Sequence, residues 1–356
     1  MAKIRLENIS HTYDGKVFAV KNVNITLPDG SNNALLGPSG CGKTTLMKII
    51  AGLLKPTQGT VFFDGKDVTS LSPQDRDIAM VFQFPVIYDM NVFDNLMFPL
   101  LNKKVPKKAA KKKVLKTAEI LGLTPVLQAR SKNLDMGAKQ RVALGRSLVR
   151  GPNAFLLDEP LSSIEPEGRW YLKMKIKEIQ ETMDQTLIYV THDQSEALTL
   201  ADKIAIMNKG EFLQYSSREN IYNNPANTFV GYFIGNPGMN FIDCTLKGNS
   251  LNCGNFAYDV SKLAIDLDRY GTNFKIGIRP EHVQISRNKK KNWISSNCIA
   301  VEHLGNTQIL HLVSGENKIK AKVETSDISK GNVWIHFPND KVKLFKQTGE
   351  LINTAK

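Results

Sequence analysis

The apolar run Ala34-Leu35-Leu36 leads straight into Gly37-Pro38-Ser39-Gly40-Cys41-Gly42-Lys43-Thr44, and a helical pattern with Leu46, Ile49, Ile50 and Leu53 on one face comes next. Strand, glycine-rich loop and helix in that order constrain the fold more than any other segment, because this is the spacing of a phosphate-binding loop. Glycines let backbone N–H groups close around phosphate oxygens with no Cβ in the way. The helix N-terminus adds its dipole, Lys43 is placed to neutralise β- and γ-phosphates, and the Thr44 hydroxyl to ligate Mg²⁺. Residues Gly37 to Thr45 are therefore expected to hold a nucleoside triphosphate.

Other segments fit the same site. Phe155-Leu156-Leu157-Asp158-Glu159-Pro160 is an apolar strand ending in acids. Asp158 is expected to hold Mg²⁺ through water, and Glu159 to polarise the attacking water as general base. Gln83, after Met80-Val81-Phe82, offers an amide to the metal and to that water. His192, after Tyr189-Val190-Thr191, offers a contact to the γ-phosphate, and Tyr13 a π-face to adenine. Taken singly, His192 and Tyr13 read as structural residues; the joint pattern gives them a role. The expected set is Glu159, His192 and Gln83 for catalysis and Thr44, Gln83 and Asp158 for Mg²⁺. The loop with Tyr13, Gln83 and Asp158 is expected to bind ATP.

Two short strands are expected around Ile4–Leu6 and Val23–Leu27, and residues 86–150 read as mostly helical. Phe155-Leu156-Leu157 and Leu187-Ile188-Tyr189-Val190 are fully apolar, as parallel strands covered on both faces are. After Gly235-Asn236-Pro237-Gly238 the texture changes to short alternating segments, Phe274–Ile278, Ile309–Val313, Ile319–Val323 and Val333–Phe337. The fold class is thus α/β: a P-loop domain with a parallel core sheet and a helical subdomain over residues 1–235, and a barrel-type all-β domain over 236–356.

Composition, 42% hydrophobic and 23% charged, excludes a disordered or coiled-coil chain. No stretch approaches the ~20 apolar residues that cross a bilayer, and the first residues alternate charge with apolar groups, unlike a signal peptide. A cytoplasmic protein is expected. Of the net charge of +13, much lies in the eight lysines from Lys103 to Lys116, which read as the solvated face of a helix. A second cluster joins Arg287 to Lys289, Lys290 and Lys291. Neither is interleaved in sequence with the aromatics of a single-strand-binding face, so no nucleic-acid partner is expected. Cys41, Cys244, Cys253 and Cys298 lie far apart in sequence and read as free thiols.

The order Tyr13, phosphate loop, Gln83, Leu134–Arg141, Leu157-Asp158-Glu159, Ile164-Glu165, His192 resembles the ATP-binding-cassette ATPases. Ala226–Val230, Phe233–Phe241 and Gly277–Val283 resemble, within that family, the ATPases of carbohydrate, polyol and glycerol-phosphate importers. This resemblance implies an ATP-hydrolysing motor, peripheral on the cytoplasmic side of the inner membrane, with an OB-like (TOBE) regulatory domain in the tail. It implies transmembrane permease subunits as partners, and indirectly an extracytoplasmic solute-binding protein. A permease helix would dock in a groove near Gln83–Leu101, with Phe84, Pro85, Val86, Ile87, Tyr88, Phe93, Leu96 and Phe98 as its apolar lining.

The resemblance breaks at the loop offered across a dimer to the partner's ATP. Where most such ATPases have Leu-Ser-Gly-Gly-Gln, this chain has Leu134-Asp135-Met136-Gly137-Ala138. Asp135 replaces a hydroxyl donor by an anion, and two like unit charges ~4 Å apart cost about 4 kcal/mol at an effective dielectric near 20. Met136 adds a side chain where glycine allows close approach, and Glu165 stands where an Asp is usual. Asp135 also suits a helix N-cap. A heterodimer with an intact second ATPase is favoured over a homodimer. Two other readings stand beside the importer: a soluble nucleic-acid-associated cassette ATPase, and a non-hydrolysing regulatory subunit.

Overall fold

The apolar runs become the middle of a six-stranded sheet, as strands covered on both faces must. A computed structural model describes residues 2–182, 185–261, 266–325 and 328–352, and the chain divides into two compact units, Met1–Arg218 and Glu219–Lys356. The first holds β1 (Ile4–Thr12), β2 (Phe18–Leu27), β3 (Asn32–Leu36), β4 (Gln58–Phe63), β5 (Lys66–Asp67), β6 (Ile78–Val81), β7 (Ala154–Asp158), β8 (Thr186–Thr191), β9 (Lys203–Asn208) and β10 (Glu211–Ser217). Strands β2-β1-β4-β5 form one antiparallel sheet. The core sheet runs β10-β9-β3-β8-β7-β6, parallel except where β10 joins β9.

Alternation divides each apolar run between two cores. Ala79, Val81, Phe155, Leu157 and Tyr189 pack with a helical layer made of α2 (Val92–Asn102), α3 (Lys107–Ile120) and α4 (Met136–Leu148). Ile78, Ala154, Leu156, Ile188 and Val190 pack with β1, β2 and the first helix, α1 (Lys43–Ala51). That helix is shorter than its pattern suggested. Gly52 at φ 76° takes the left-handed cap and stops it, so Leu53 lies beyond it, 51% exposed, instead of continuing the buried face. On α3 the lysines are exposed while Ala110, Val114, Thr117 and Ala118 are buried, which is the solvated-face reading of that run. Helices α5 (Pro166–Thr182) and α6 (Gln194–Leu200) complete the unit.

The chain passes from one unit to the other through α7 (Arg218–Asn223), and α8 (Thr228–Phe233) follows. Among the described residues, the second unit also holds two five-stranded antiparallel sheets. One, β13-β12-β11-β14-β20, is built from β11 (Asn240–Lys247), β12 (Ser250–Asn252), β13 (Ala257–Asp259), β14 (Asn273–Ile278) and β20 (Lys343–Lys346). The other, β15-β19-β16-β17-β18, takes β15 (Gln284–Ser286), β16 (Ile294–Leu304), β17 (Thr307–Ser314), β18 (Asn317–Glu324) and β19 (Gly331–His336). Phe274, Ile335 and Phe337, all nearly fully buried, belong to the core they share.

The division falls before α7 and α8, not at the expected 235/236 boundary. The reason is Arg279. Its buried guanidinium donates to the carbonyls of Tyr222 (2.7 Å), Gly231 (2.9 Å) and Ile234, and lies over the Tyr222 ring. Backbone bonds from Thr228 N–H to Gly349 O and from Leu351 N–H to Ala226 O close the same junction. A second difference concerns the cysteines. Spacing kept Cys244 and Cys253 apart, yet β11 and β12 bring their Sγ atoms to 2.7 Å as buried free thiols. The contact with Cys244, with burial, pushes the Cys253 thiol far above its ordinary range.

These bonds set where the chain can be cut. A protein ending at Arg218 lacks both sides of every one of these bonds and so leaves no partner unpaired, whereas one ending at Gly235 keeps α7 and α8 without Arg279, Gly349 or Leu351. Both should bind an ATP analogue. Only the shorter should elute as a single symmetrical species on size exclusion; the reverse pattern would return the division to 235.

Candidate active site

Four adjacent parallel strands carry the site at their C-terminal ends, the edge where open α/β sheets bind ligands. In the sheet order β3-β8-β7-β6, β3 runs into Gly37, β8 ends at Thr191 before His192, β7 ends at Asp158 before Glu159, and β6 ends at Val81 two residues before Gln83. Pairing of Leu36 with Thr191, Asp158 with Val190 and Val81 with Leu157 brings the four ends level. Residues separated by up to ~155 positions in sequence thus share one edge because every strand between them is parallel.

Glycine positions in the loop are set by close backbone neighbours. At Gly42, with φ 103°, a Cβ would lie 2.1 Å from Ala19 O, and at Gly37 one would lie 2.3 Å from Met207 O. The Lys43 side chain is only 5% exposed, and its Nζ donates to Gly37 O (2.8 Å) and Pro38 O (2.9 Å), with Cys41 Sγ at 3.8 Å. Ser39 and Gly40 are exposed at the loop's tip. Tyr13, 66% exposed, is turned edge-on to His11 and bonds through its hydroxyl to Thr45 Oγ1 at 3.2 Å.

Thr44 Oγ1 donates to Asp158 Oδ1 at 3.2 Å, so two hard oxygen atoms face each other at the foot of the loop. Asp158 is buried, and burial pushes its carboxyl above the ordinary carboxylate range; Thr44 opposes that shift and the charge of Glu159 adds to it. A desolvated carboxylate beside a hydroxyl is a donor set that suits Mg²⁺ accompanying a phosphate chain. Glu159 stands at φ 45°, a left-handed position uncommon for a side chain of its size, and its Oε1 lies 3.1 Å from His192 Nδ1. Its backbone is fastened to Val190 O and bonded by Ser162.

Gln83 is held by its backbone: Ser163 Oγ donates to its carbonyl at 3.1 Å. Asp135 is the N-cap of α4, accepting from Ala138 N–H at 2.6 Å, and Met136 is 42% exposed. Leu134 is buried beneath them, while at Gly137 a Cβ would come within 3.7 Å of Ile164. Direct contacts therefore join Lys43 to its loop, Thr44 to Asp158, Glu159 to His192 and Tyr13 to Thr45. The segment 134–138 makes no contact of this kind with the phosphate loop among the described residues.

The sequence reading missed Gln140. It is fully buried and donates to Phe82 O at 3.2 Å, tying α4 to the residue before Gln83. Arg146 likewise donates to Val86 O (2.7 Å) and stacks over Tyr88. The only signal was a polar residue at an apolar position of the α4 pattern. Among the residues expected to line the nearby groove, Leu96 is fully buried in the helical core, whereas Phe84 and Val86 are 66% and 68% exposed.

Comparison with known proteins bears on this geometry. The ABC transporter profile matches residues 20–162, and the profile of the MalK OB fold domain matches residues 235–283. A trehalose/maltose import ATP-binding protein, MalK, of Thermococcus litoralis is 39% identical over 99% of this chain and all of its own length. The chain belongs to the ABC transporter family. It is an ABC importer ATPase with a C-terminal OB domain of the MalK type. The sn-glycerol-3-phosphate import ATP-binding protein UgpC of Psychromonas ingrahamii is also 39% identical, over 87% of this chain and 82% of its own. A solved ATP-binding cassette, dimeric and bound to ADP and Pi after hydrolysis, is 28% identical with a TM-score of 0.55, covering 60% of this chain and 98% of its own. Like that ABC family as a whole, the chain binds ATP. No helix among the described residues is long and apolar enough to cross a membrane.

A raised carboxyl at Asp158 makes folding take up a proton just above pH 3.8, so its contribution to the stability of the nucleotide-free protein falls as pH rises through that window. Asp158→Asn should therefore melt about 2–4 °C above the wild type at pH 7, for each ~1 kcal/mol of relief. The gain should shrink as pH approaches 4, and the variant should lose the further rise that Mg²⁺ and ATP give the wild type. Differential scanning fluorimetry reads both; an unchanged or lower melting point without nucleotide would contradict the charge argument.

Proposed function

We propose that this ATPase drives an importer for a sugar, polyol, glycerol or glycerol phosphate, peripheral on the cytoplasmic face of the membrane and paired with a second, non-identical ATPase. The names of the relatives support the solute class. Permease subunits would dock at the groove beside Phe82 and Val86, a cavity of about 250 Å³ whose wall includes Pro99 and Arg146. An extracytoplasmic binding protein would act through them.

In this reading Lys43 exchanges its two loop carbonyls for β- and γ-phosphate oxygens, while Tyr13 packs on adenine. Thr44 and Asp158, with the Gln83 amide, hold Mg²⁺, which when bound supplies charge neutralisation along the phosphates. Glu159 takes the proton of the attacking water. His192 orients Glu159 through Nδ1, and its remaining ring nitrogen serves the γ-phosphate.

The observation that carries the heterodimer is the contrast between the Glu159–His192 pair and Asp135. A carboxylate is acceptor-only, so Asp135 caps α4 well and has no proton for a partner's γ-phosphate. Serine would do both. Asp135→Ser therefore removes the charge while keeping a good cap, at a cost within ~0.5 kcal/mol.

Glu159→Gln should retain ATP binding and lose ~10²-fold or more in turnover of the assembled complex. The equivalent change in the partner should cost far less. The isolated chain should hydrolyse ATP feebly, and Asp135→Ser with Met136→Gly should raise that activity. Equal losses from the two acidic substitutions, or brisk hydrolysis by the chain alone, would replace the heterodimer by a homodimer.

A further inference from the structure

On β19 the residues alternate strictly: Val333 and Ile335 face the core of the second unit, so Trp334 and His336 stand on the opposite face of the sheet. Register places Ser286 of β15 and Ser295 of β16 on either side of Trp334. With short neighbours on both sides, the indole of Trp334 stays partly exposed. Trp293, just before β16, stacks on His336 with centroids 5.5 Å apart and planes at 24°. A second wall comes from β13, where the Tyr258 hydroxyl donates to Asn339 Oδ1 at 2.6 Å. Between the walls lies a cleft of about 710 Å³ with Asn292, Ser295 and Asp259 also on its lining. That volume is within the ~300–1,000 Å³ of small-molecule sites, and aromatic walls carrying a few convergent polar groups are their usual make-up.

The basic cluster of the sequence belongs here. Lys290 Nζ lies 4.5 Å from the centre of the Trp293 ring, and Lys289 Nζ 5.6 Å from that of Trp334. In sequence the cluster is not interleaved with aromatics; folding brings Trp293 and Trp334 against its lysines. Cation–π contact sets the two ammonium groups against tryptophans that line the cleft, and they offer point charges to an anion such as phosphate.

We infer that this cleft binds a small phosphorylated sugar or polyol. The phosphate would lie at Lys289 and Lys290, the C–H face of the ligand on Trp334, and its hydroxyls among Asn292, Asn339 and Ser295. The proposal concerns binding by the second unit and is independent of the ATPase pairing above.

Two of the chain's three tryptophans, Trp293 and Trp334, line the cleft, so intrinsic fluorescence reports on it directly. The full-length protein is titrated with glucose 6-phosphate and with glycerol 3-phosphate, and again by calorimetry, which needs no tryptophan. Glucose, inorganic phosphate and a dT oligonucleotide serve as comparisons. A saturable change with at least one phosphorylated probe is expected, tighter than with glucose or inorganic phosphate. Lys289→Gln with Lys290→Gln, both exposed and safe for the fold, should weaken it at least ~10-fold, as should Trp334→Ala. Lys43→Ala should leave it unchanged, which separates this cleft from the nucleotide loop. The proposal is overturned by absence of saturation up to ~10 mM, or by binding that survives the lysine pair and is lost with Lys43. Inorganic phosphate binding as tightly as either ester would overturn it as well. So would tighter, steeply salt-dependent binding of the oligonucleotide, which would make the face a single-strand platform.

Discussion

Two backbone carbonyls, Ala19 O on β2 and Met207 O on β9, press against the phosphate loop where only a hydrogen atom fits. The rest of the catalytic unit is arranged around that constraint. With Gly37 and Gly42 set against neighbouring strands, the Lys43 ammonium donates to the loop carbonyls of Gly37 and Pro38. A buried charge is tolerated there because backbone oxygens satisfy it. Helix α1 then begins at a fixed point, and Thr44 meets Asp158 at 3.2 Å.

In the proposed reading the same chain carries a complete hydrolytic half and an altered dimer-facing half. Glu159 is held in an unfavourable backbone conformation by bonds to Val190 and Ser162, a strain that buys its carboxylate a defined place beside His192. At the other half, Asp135 and Met136 leave local structure intact: the aspartate caps α4 as a serine would. What changes is what the loop offers to a neighbouring molecule, an anion and a thioether chain in place of a hydroxyl and a bare backbone.

In the second unit, Arg279 explains why Gly277-Ile278-Arg279-Pro280-Glu281 stands out. Its guanidinium reaches three carbonyls of the stretch from Tyr222 to Ile234, and burial of so many unpaired carbonyls without it would be costly. The neighbouring Glu281 accepts the Tyr222 hydroxyl. A motif first noticed as a family resemblance is thus also the fastening that makes α7 and α8 part of the β unit.

Local chemistry was legible in the sequence. The phosphate loop, the acids ending an apolar strand, the lysine-covered helix and the alternating strands of the tail each follow from short-range periodicity or from glycine's freedom, and each was found where expected. Asp135 as a helix cap is a three-residue pattern and was equally readable. The contacts that only folding makes were not: His192 against Glu159, Gln140 against Phe82, Cys244 against Cys253, Arg279 against the helices upstream, and the lysines over Trp293 and Trp334. Each joins segments whose separation in the chain carries no periodic signal. The sequence by itself determined the elements and the kinds of side chain at their ends; tertiary structure decided which ends meet, because parallel strand order and sheet register, not neighbourhood in the chain, set those distances.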